Sequence, residues 1–363
     1  MSRVSFFTVS LLYLIVTLYV AMTTPISPHE AYTLYYKDNI DHFLMQQFMP
    51  YIEGFFAFRV PFYFLGGVNI LIYYALSKFY FKEQSDRYLS TVIFMLLPGI
   101  ITSMILVNIS VLVITLVLIF LLGYKHNWWW LQVISLIVLL FVHDSAIIFF
   151  ISLAFYAYLS KEHRLFYFSL LLMFMSLFIG TLEIGGRPRG HFIEIFGLYV
   201  ALFSPLVFVY FCYTLYRIHH EKKHDIIWYI STIGLLFSLF LSIRQRVAIT
   251  EFAPYILIGT VFILRAYNES LKVRLKIYQK KYKRIFFMVM VTLVLGSITI
   301  LFHKVLFSLF EDKSRHFAYT VYKPYWLAKK LKLQKSECYD TKFVKMRAQL
   351  RYYSIKECQS VQK

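Results

Sequence analysis

The feature that most constrains this chain is a series of long apolar blocks that carry no charge. Thr8–Met22, Val60–Leu76 and Phe286–Phe302 contain no Asp, Glu, Lys or Arg. Each block approaches the roughly 20 residues that a helix needs to cross the hydrocarbon core of a bilayer. Charged residues make up only 16% of the chain, whereas a soluble domain carries about a quarter. The sequence therefore predicts an all-α integral membrane protein and excludes a soluble fold.

The blocks predict about eleven transmembrane helices. We place them at residues 5–22, 57–77, 88–101, 104–122, 128–142, 145–160, 165–181, 195–216, 226–242, 253–266 and 285–303. The first is expected to be a retained helix, because no convincing small-x-small cleavage site precedes Thr23. This divides the chain into a transmembrane domain, residues 1–303, with a long first outer loop, residues 23–56, and a small C-terminal tail, residues 304–363.

The distribution of basic residues predicts the orientation in the membrane. Most Lys and Arg residues of the connecting loops fall on one side, which the positive-inside rule assigns to the cytoplasm. The N-terminus is then cytoplasmic and the tail periplasmic, in a bacterial inner membrane. The net charge of +19 is explained by cytoplasmic loops that meet anionic lipid, so it does not indicate nucleic acid.

Two of the three cysteines flank a polar stretch of the tail. An oxidising compartment would let Cys338 and Cys358 close a loop of about twenty residues. Two unrelated thiols are the alternative, and the sequence leaves both open. Cys212 lies within a predicted helix and is expected only to pack.

Polar residues gather in four segments on the predicted outer side. These are the first loop, residues 23–56; His143–Ser145; the stretch from Glu183 to Glu194; and the stretch from Arg244 to Pro254. The last two contain arginines but no lysine, at Arg187, Arg189, Arg244 and Arg246. Because a guanidinium forks onto phosphate oxygens, these arginines are candidates for binding the phosphate of a lipid-linked donor. The alternative is that they pair with Glu183, Glu194 and Glu251 and only finish helix ends.

Transfer of a sugar to a hydroxyl needs a base, and its leaving phosphate needs positive charge. Glu30, which follows the first helix and Pro28, is the preferred base. Asp144, beside His143, is the second candidate for base, sugar contact or metal ligand. Asp38 and Asp41 are interpreted as solvated or capping residues. A role for a divalent metal is left open.

Several short motifs, in this order, resemble the GT-C superfamily of membrane glycosyltransferases. They are His29–Glu30–Ala31–Tyr32 after the first helix, Arg59–Val60–Pro61 before the second, and Pro98–Gly99 after the third. In particular, the chain is similar to bacterial relatives of dolichyl-phosphate-mannose protein mannosyltransferases and of the aminoarabinose transferase of lipid A. It departs from the family pattern at His29 and Asn108, where the family often has Asp.

The resemblance implies transfer, with inversion, from a polyprenyl-phosphate-linked sugar to a lipid-linked glycan, lipid A or protein. It assigns Glu30 to the catalytic site and adds His29 and Arg59 to the predicted donor-binding residues, which also include His143. Two other functions stay open: an oligosaccharide-repeat polymerase of the envelope, and a non-enzymatic lipid or polysaccharide transporter. The transporter is disfavoured, because neither midplane charge nor an internal repeat is evident.

Overall fold

A computed structural model describes residues 2–179, 190–335 and 338–358. Every named secondary-structure element in these ranges is a helix. The helices are α1 (Arg3–Thr23), α2 (Pro28–Tyr36), α3 (Ile40–Phe48), α4 (Val60–Ser77), α5 (Gln84–Met95), α6 (Pro98–Ile105), α7 (Ser110–Lys125), α8 (Trp129–Val142), α9 (Ala146–Leu159), α10 (His163–Ile179), α11 (Phe192–Phe203), α12 (Pro205–His220), α13 (Ile226–Arg244), α14 (Ile249–Leu257), α15 (Val261–Val273), α16 (Lys276–Leu301), α17 (His303–Leu306), α18 (Tyr319–Leu333) and α19 (Val344–Tyr352).

The membrane character expected from the sequence is present, but the count of eleven spans is not confirmed. Among the described residues, 5 helices are long and apolar enough to cross a membrane, or up to 7 if each of two bent pairs is one span. Four further apolar helices, α7 to α10, have 16, 14, 14 and 17 residues. At about 1.5 Å per residue they are shorter than a hydrocarbon core of about 30 Å.

The predicted helix at residues 195–216 is divided by a sharp bend. The axes of α11 and α12 meet at 101°. Ser204, between them, has φ 81° and ψ 143°, and Pro205 starts α12. Neither residue can continue a helix, because Ser204 has left the right-handed region and proline has no N–H to donate. The Ser204 hydroxyl donates to the Thr292 carbonyl at 2.7 Å, which fixes the bend against α16.

The chain forms two compact units. The first comprises Met1–Tyr13, Leu65–Ser103 and Ile109–Ser297. Its core is apolar and rich in aromatic residues, with Phe149 of α9 stacked on Tyr255 of α14 at 5.5 Å between ring centroids. Close approach between α13 and the segment after α14 depends on Gly259, where a Cβ would lie 2.9 Å from that of Ser231.

The second unit comprises Leu14–Phe64, Met104–Asn108 and Ile298–Lys363. The C-terminal segment therefore folds together with the first loop. Gln349 of α19 donates through Nε2 to the Ile26 carbonyl at 2.8 Å, and Tyr352 stacks on Phe55 at 6.0 Å. Cys338 and Cys358 form a disulfide at the end of this segment.

Candidate functional site

Glu30, the preferred base, forms a buried ion pair with Arg59. Arg59 donates through Nε to Oε1 of Glu30 at 2.8 Å and through Nη2 to Oε2 at 2.7 Å. Both side chains have 0% exposure. The remaining Arg59 N–H groups donate to the carbonyls of Ala21, Thr24 and Pro25 at the end of α1. All five donors of the guanidinium are therefore used within the second unit.

The carboxylate of Glu30 is also fully occupied. The backbone N–H of Ser27 donates to Oε2 at 2.7 Å, and that of Val107 donates to Oε1 at 3.0 Å. Ser27 and Glu30 form a capping box at the start of α2. Burial favours the neutral acid, but the charge and hydrogen bonds of Arg59, together with the two backbone donors, lower the pKa of Glu30.

This geometry suits a structural role for Glu30 and Arg59. Each carboxylate oxygen accepts two hydrogen bonds, which fills the lone pairs that a base would offer to an acceptor hydroxyl. The guanidinium likewise has no N–H left for a donor phosphate. Roles in catalysis and donor binding stay predictions, and they require this pair to open. His29 lies exposed on the first turn of α2.

Asp41 is buried, so its interpretation as a solvated or capping residue is wrong. Its side chain is 3% exposed, and the cap of α3 is supplied by Asn39. Oδ1 of Asp41 and Oγ1 of Thr33 are buried without a hydrogen-bond partner in the described part of the chain. Burial raises the pKa of Asp41 to about 6, although Lys37 lowers it. Unsatisfied buried carboxyl groups with raised pKa values occur often at functional sites.

The sequence held a signal for the burial of Asp41. Residues four apart share one face of a helix, and Met45, four residues later in α3, is also buried. Asp41 therefore lies on the buried face of α3.

A polar cluster occupies one end of the first unit and includes His143. Nδ1 of His143 lies 2.8 Å from Oγ of Ser145. The Ser145 hydroxyl is also 3.0 Å from the carbonyl oxygen of Glu251 and 3.3 Å from the hydroxyl of Tyr255. The short connection between α8 and α9 is thereby fixed to α14. Asp144 projects from this connection and is exposed.

The described residues of the other two outer segments reach the same end, where α11 and α14 begin and α13 ends. Arg246 donates through Nη2 to Oε1 of Glu194 at 2.6 Å, and His191 lies 3.2 Å from Oε2 of the same carboxylate. Arg246 therefore fits the alternative in which arginines pair with nearby acids.

Arg244 and Asp144 differ from their neighbours. Both side chains are exposed, and within residues 2–179, 190–335 and 338–358 neither makes a hydrogen bond or an ion pair. The structure brings His143, Asp144, Arg244 and Arg246 to one end of the first unit, whereas His29, Glu30 and Arg59 belong to the second. Arg187 and Arg189 lie outside the described residues.

The sequence left undecided whether the protein binds a divalent metal ion. In the described ranges, no group of three or more His, Cys, Asp or Glu side chains could hold a metal ion. The chain matches no family model, and no curated protein or solved structure matches it. No related protein therefore assigns a function to the residues of the candidate site.

Proposed function

We propose that the protein is a membrane glycosyltransferase that transfers a sugar from a polyprenyl-phosphate donor to a cell-envelope acceptor. The observation that carries the proposal is a pair of groups at one end of the first unit, the carboxylate of Asp144 and the guanidinium of Arg244, which form no hydrogen bond or ion pair among the described residues. Both residues lie at helix ends, at one end of the apolar core of the first unit. A reaction at a membrane surface requires its reacting groups at such a position. The short motifs that resemble the GT-C superfamily support only the reaction class, because the Glu30 and Arg59 of these motifs form a buried ion pair in the second unit.

The proposed step assigns one role to each group. Asp144 accepts the proton of the acceptor hydroxyl as its oxygen attacks the anomeric carbon. The bond between that carbon and the phosphate oxygen breaks, and polyprenyl phosphate leaves with the bonding electrons. Arg244 stabilises the negative charge of the leaving phosphate. His143 lies beside Asp144 and contacts the sugar.

We place the protein in a bacterial inner membrane, with eleven GT-C-type spans and a cytoplasmic N-terminus. The end that carries Asp144 and Arg244 then faces the periplasm. The arginines there lie where the positive-inside rule disfavours cations. In this proposal the charge of Arg244 is balanced by the phosphate of the ligand, whereas the charge of Arg246 is balanced by Glu194.

The test is glycan mass spectrometry of a deletion strain that is complemented with variants. We expect the deletion to remove one sugar from an envelope glycan, and Asp144→Asn or Arg244→Ala to fail to restore it. A loss of at least 10²-fold in transfer is expected for a general base. Asp38→Asn and Arg284→Ala are the matched controls, because both residues are exposed.

Three outcomes would count against the proposal: an unchanged glycan in the deletion strain, full restoration by both site variants, or equal loss in the controls. A glycan of normal composition that lacks only its longer repeats would instead identify the polymerase. Accumulation of an intact lipid-linked precursor on the cytoplasmic side would identify the transporter.

A further inference from the structure

A second polar site lies at the opposite end of the first unit. α8 begins at Trp129 and ends at Val142, next to His143, so its first residue lies far from the cluster described above. There, an open cavity of about 500 Å³ is formed where α7 and α9 end and α8 and α10 begin. Its polar lining consists of Tyr124, Asn127, Gln132, Glu162, His163 and Arg164.

The acid in this cavity is already engaged. The Tyr124 hydroxyl lies 2.5 Å from Oε1 of Glu162 and 2.8 Å from the hydroxyl of Tyr156. Arg164, by contrast, is exposed and forms no ion pair with any acid that the structure describes. The cavity thus offers a planar cation that forms no ion pair with Glu162.

The surface beside the cavity is apolar. Trp129 lines the cavity and is 42% exposed, and Trp130 is 61% exposed. Further along α8, Ile134, Val138 and Phe141 are also exposed. Tryptophan concentrates at the level of lipid headgroups, and exposed aliphatic side chains on a membrane helix face acyl chains. A ligand with a phosphate and long acyl chains matches both surfaces.

We propose that this cavity binds the headgroup of an anionic glycerophospholipid from the leaflet at that end. Arg164 receives the phosphate through its forked N–H groups, Asn127 and His163 donate to headgroup oxygens, and the acyl chains lie along α8 below Trp129. Basic pockets between helices on the cytoplasmic side commonly bind such headgroups. This site is independent of glycosyl transfer.

The test is native mass spectrometry of the purified full chain in detergent, with equal amounts of phosphatidylglycerol and phosphatidylcholine. We expect preferential retention of phosphatidylglycerol. Arg164→Ala should lower that retention about fivefold, because one basic residue near a membrane contributes about 1 kcal/mol. Arg164→Lys keeps the charge but loses the forked N–H groups. Its retention of phosphatidylglycerol should lie between that of the wild type and that of Arg164→Ala.

Arg284→Ala is the charge-matched control, since Arg284 is exposed and lies outside the cavity. Equal retention of both lipids, or an equal loss in Arg164→Ala and Arg284→Ala, would overturn the proposal. Adding inorganic phosphate distinguishes the source of the ligand: we expect it not to displace the lipid, and displacement at millimolar concentration would mean that the site binds phosphate without the acyl chains.

Discussion

Arg59 and Glu30 are joined by two hydrogen bonds, from Nε to Oε1 at 2.8 Å and from Nη2 to Oε2 at 2.7 Å, in a site with no solvent exposure. The same guanidinium holds three carbonyls at the end of α1, and the same carboxylate caps α2. The pair therefore fixes the path of the chain between α1 and α4.

Glu30→Ala should destabilise the protein by about 3–5 kcal/mol, because it leaves a buried guanidinium without its counter-charge. The measurement is the yield and melting temperature of the purified protein in detergent, with the exposed Glu53→Ala as the control in the same loop. From the sequence alone, we expect this substitution to abolish transfer and leave expression intact. Normal yield and melting temperature without transfer would favour the catalytic role over the structural one.

Asp41→Asn should stabilise the protein at neutral pH. Burial raises the pKa of Asp41 from 3.8 to about 6. The free energy of unfolding is therefore highest below pH 3.8, where Asp41 is protonated, and falls as the pH rises through 6. A shift of about two pKa units corresponds to up to about 3 kcal/mol. We expect the melting temperature of the variant to exceed that of the wild type at pH 8 and to approach it at pH 4. A constant difference across this range would show that ionisation of Asp41 is not the cause.

Removing the disulfide should destabilise the unit that the tail forms with the first loop. Closing a loop of about twenty residues contributes about 3 kcal/mol, so Cys338→Ser should lower the melting temperature. Cys212→Ser is the control, because Cys212 is a free, half-buried thiol. In the denatured wild type we expect one thiol to react before reduction and three after it. Three reactive thiols before reduction would contradict the pairing.

Gly259→Ala should destabilise the first unit, because its Cβ would lie 2.9 Å from Cβ of Ser231 and 3.0 Å from Cε2 of Phe211. Overpacking of this kind typically costs about 1–3 kcal/mol. Gly197→Ala, where no atom lies within 4 Å of the added Cβ, should be neutral or slightly stabilising. A melting temperature unchanged by Gly259→Ala would show that α13 can move away at little cost.

Glu30 and Asp41 differ in how far their surroundings follow from the sequence. Both are acids of the first loop, and the motif around Glu30 made it the more prominent. Its position after Ser27 and Pro28 also fits a capping box, which is a structural signature. The choice between the two roles depends on Arg59, 29 residues later, and no local pattern contains that contact. Equally, no local pattern shows that Oδ1 of Asp41 has no hydrogen-bond partner among the described residues.

The sequence by itself determined the helical, membrane-type character of the protein, because long runs without charge have few other stable solutions. It also located the polar segments, since charged groups are excluded from the apolar spans. Only the tertiary structure decided that Arg246 pairs with Glu194 whereas Arg244 pairs with no acid among the described residues, and that the C-terminal segment folds with the first loop. The reason is that burial and pairing depend on contacts between residues far apart in the chain, whereas hydropathy is a property of each segment alone.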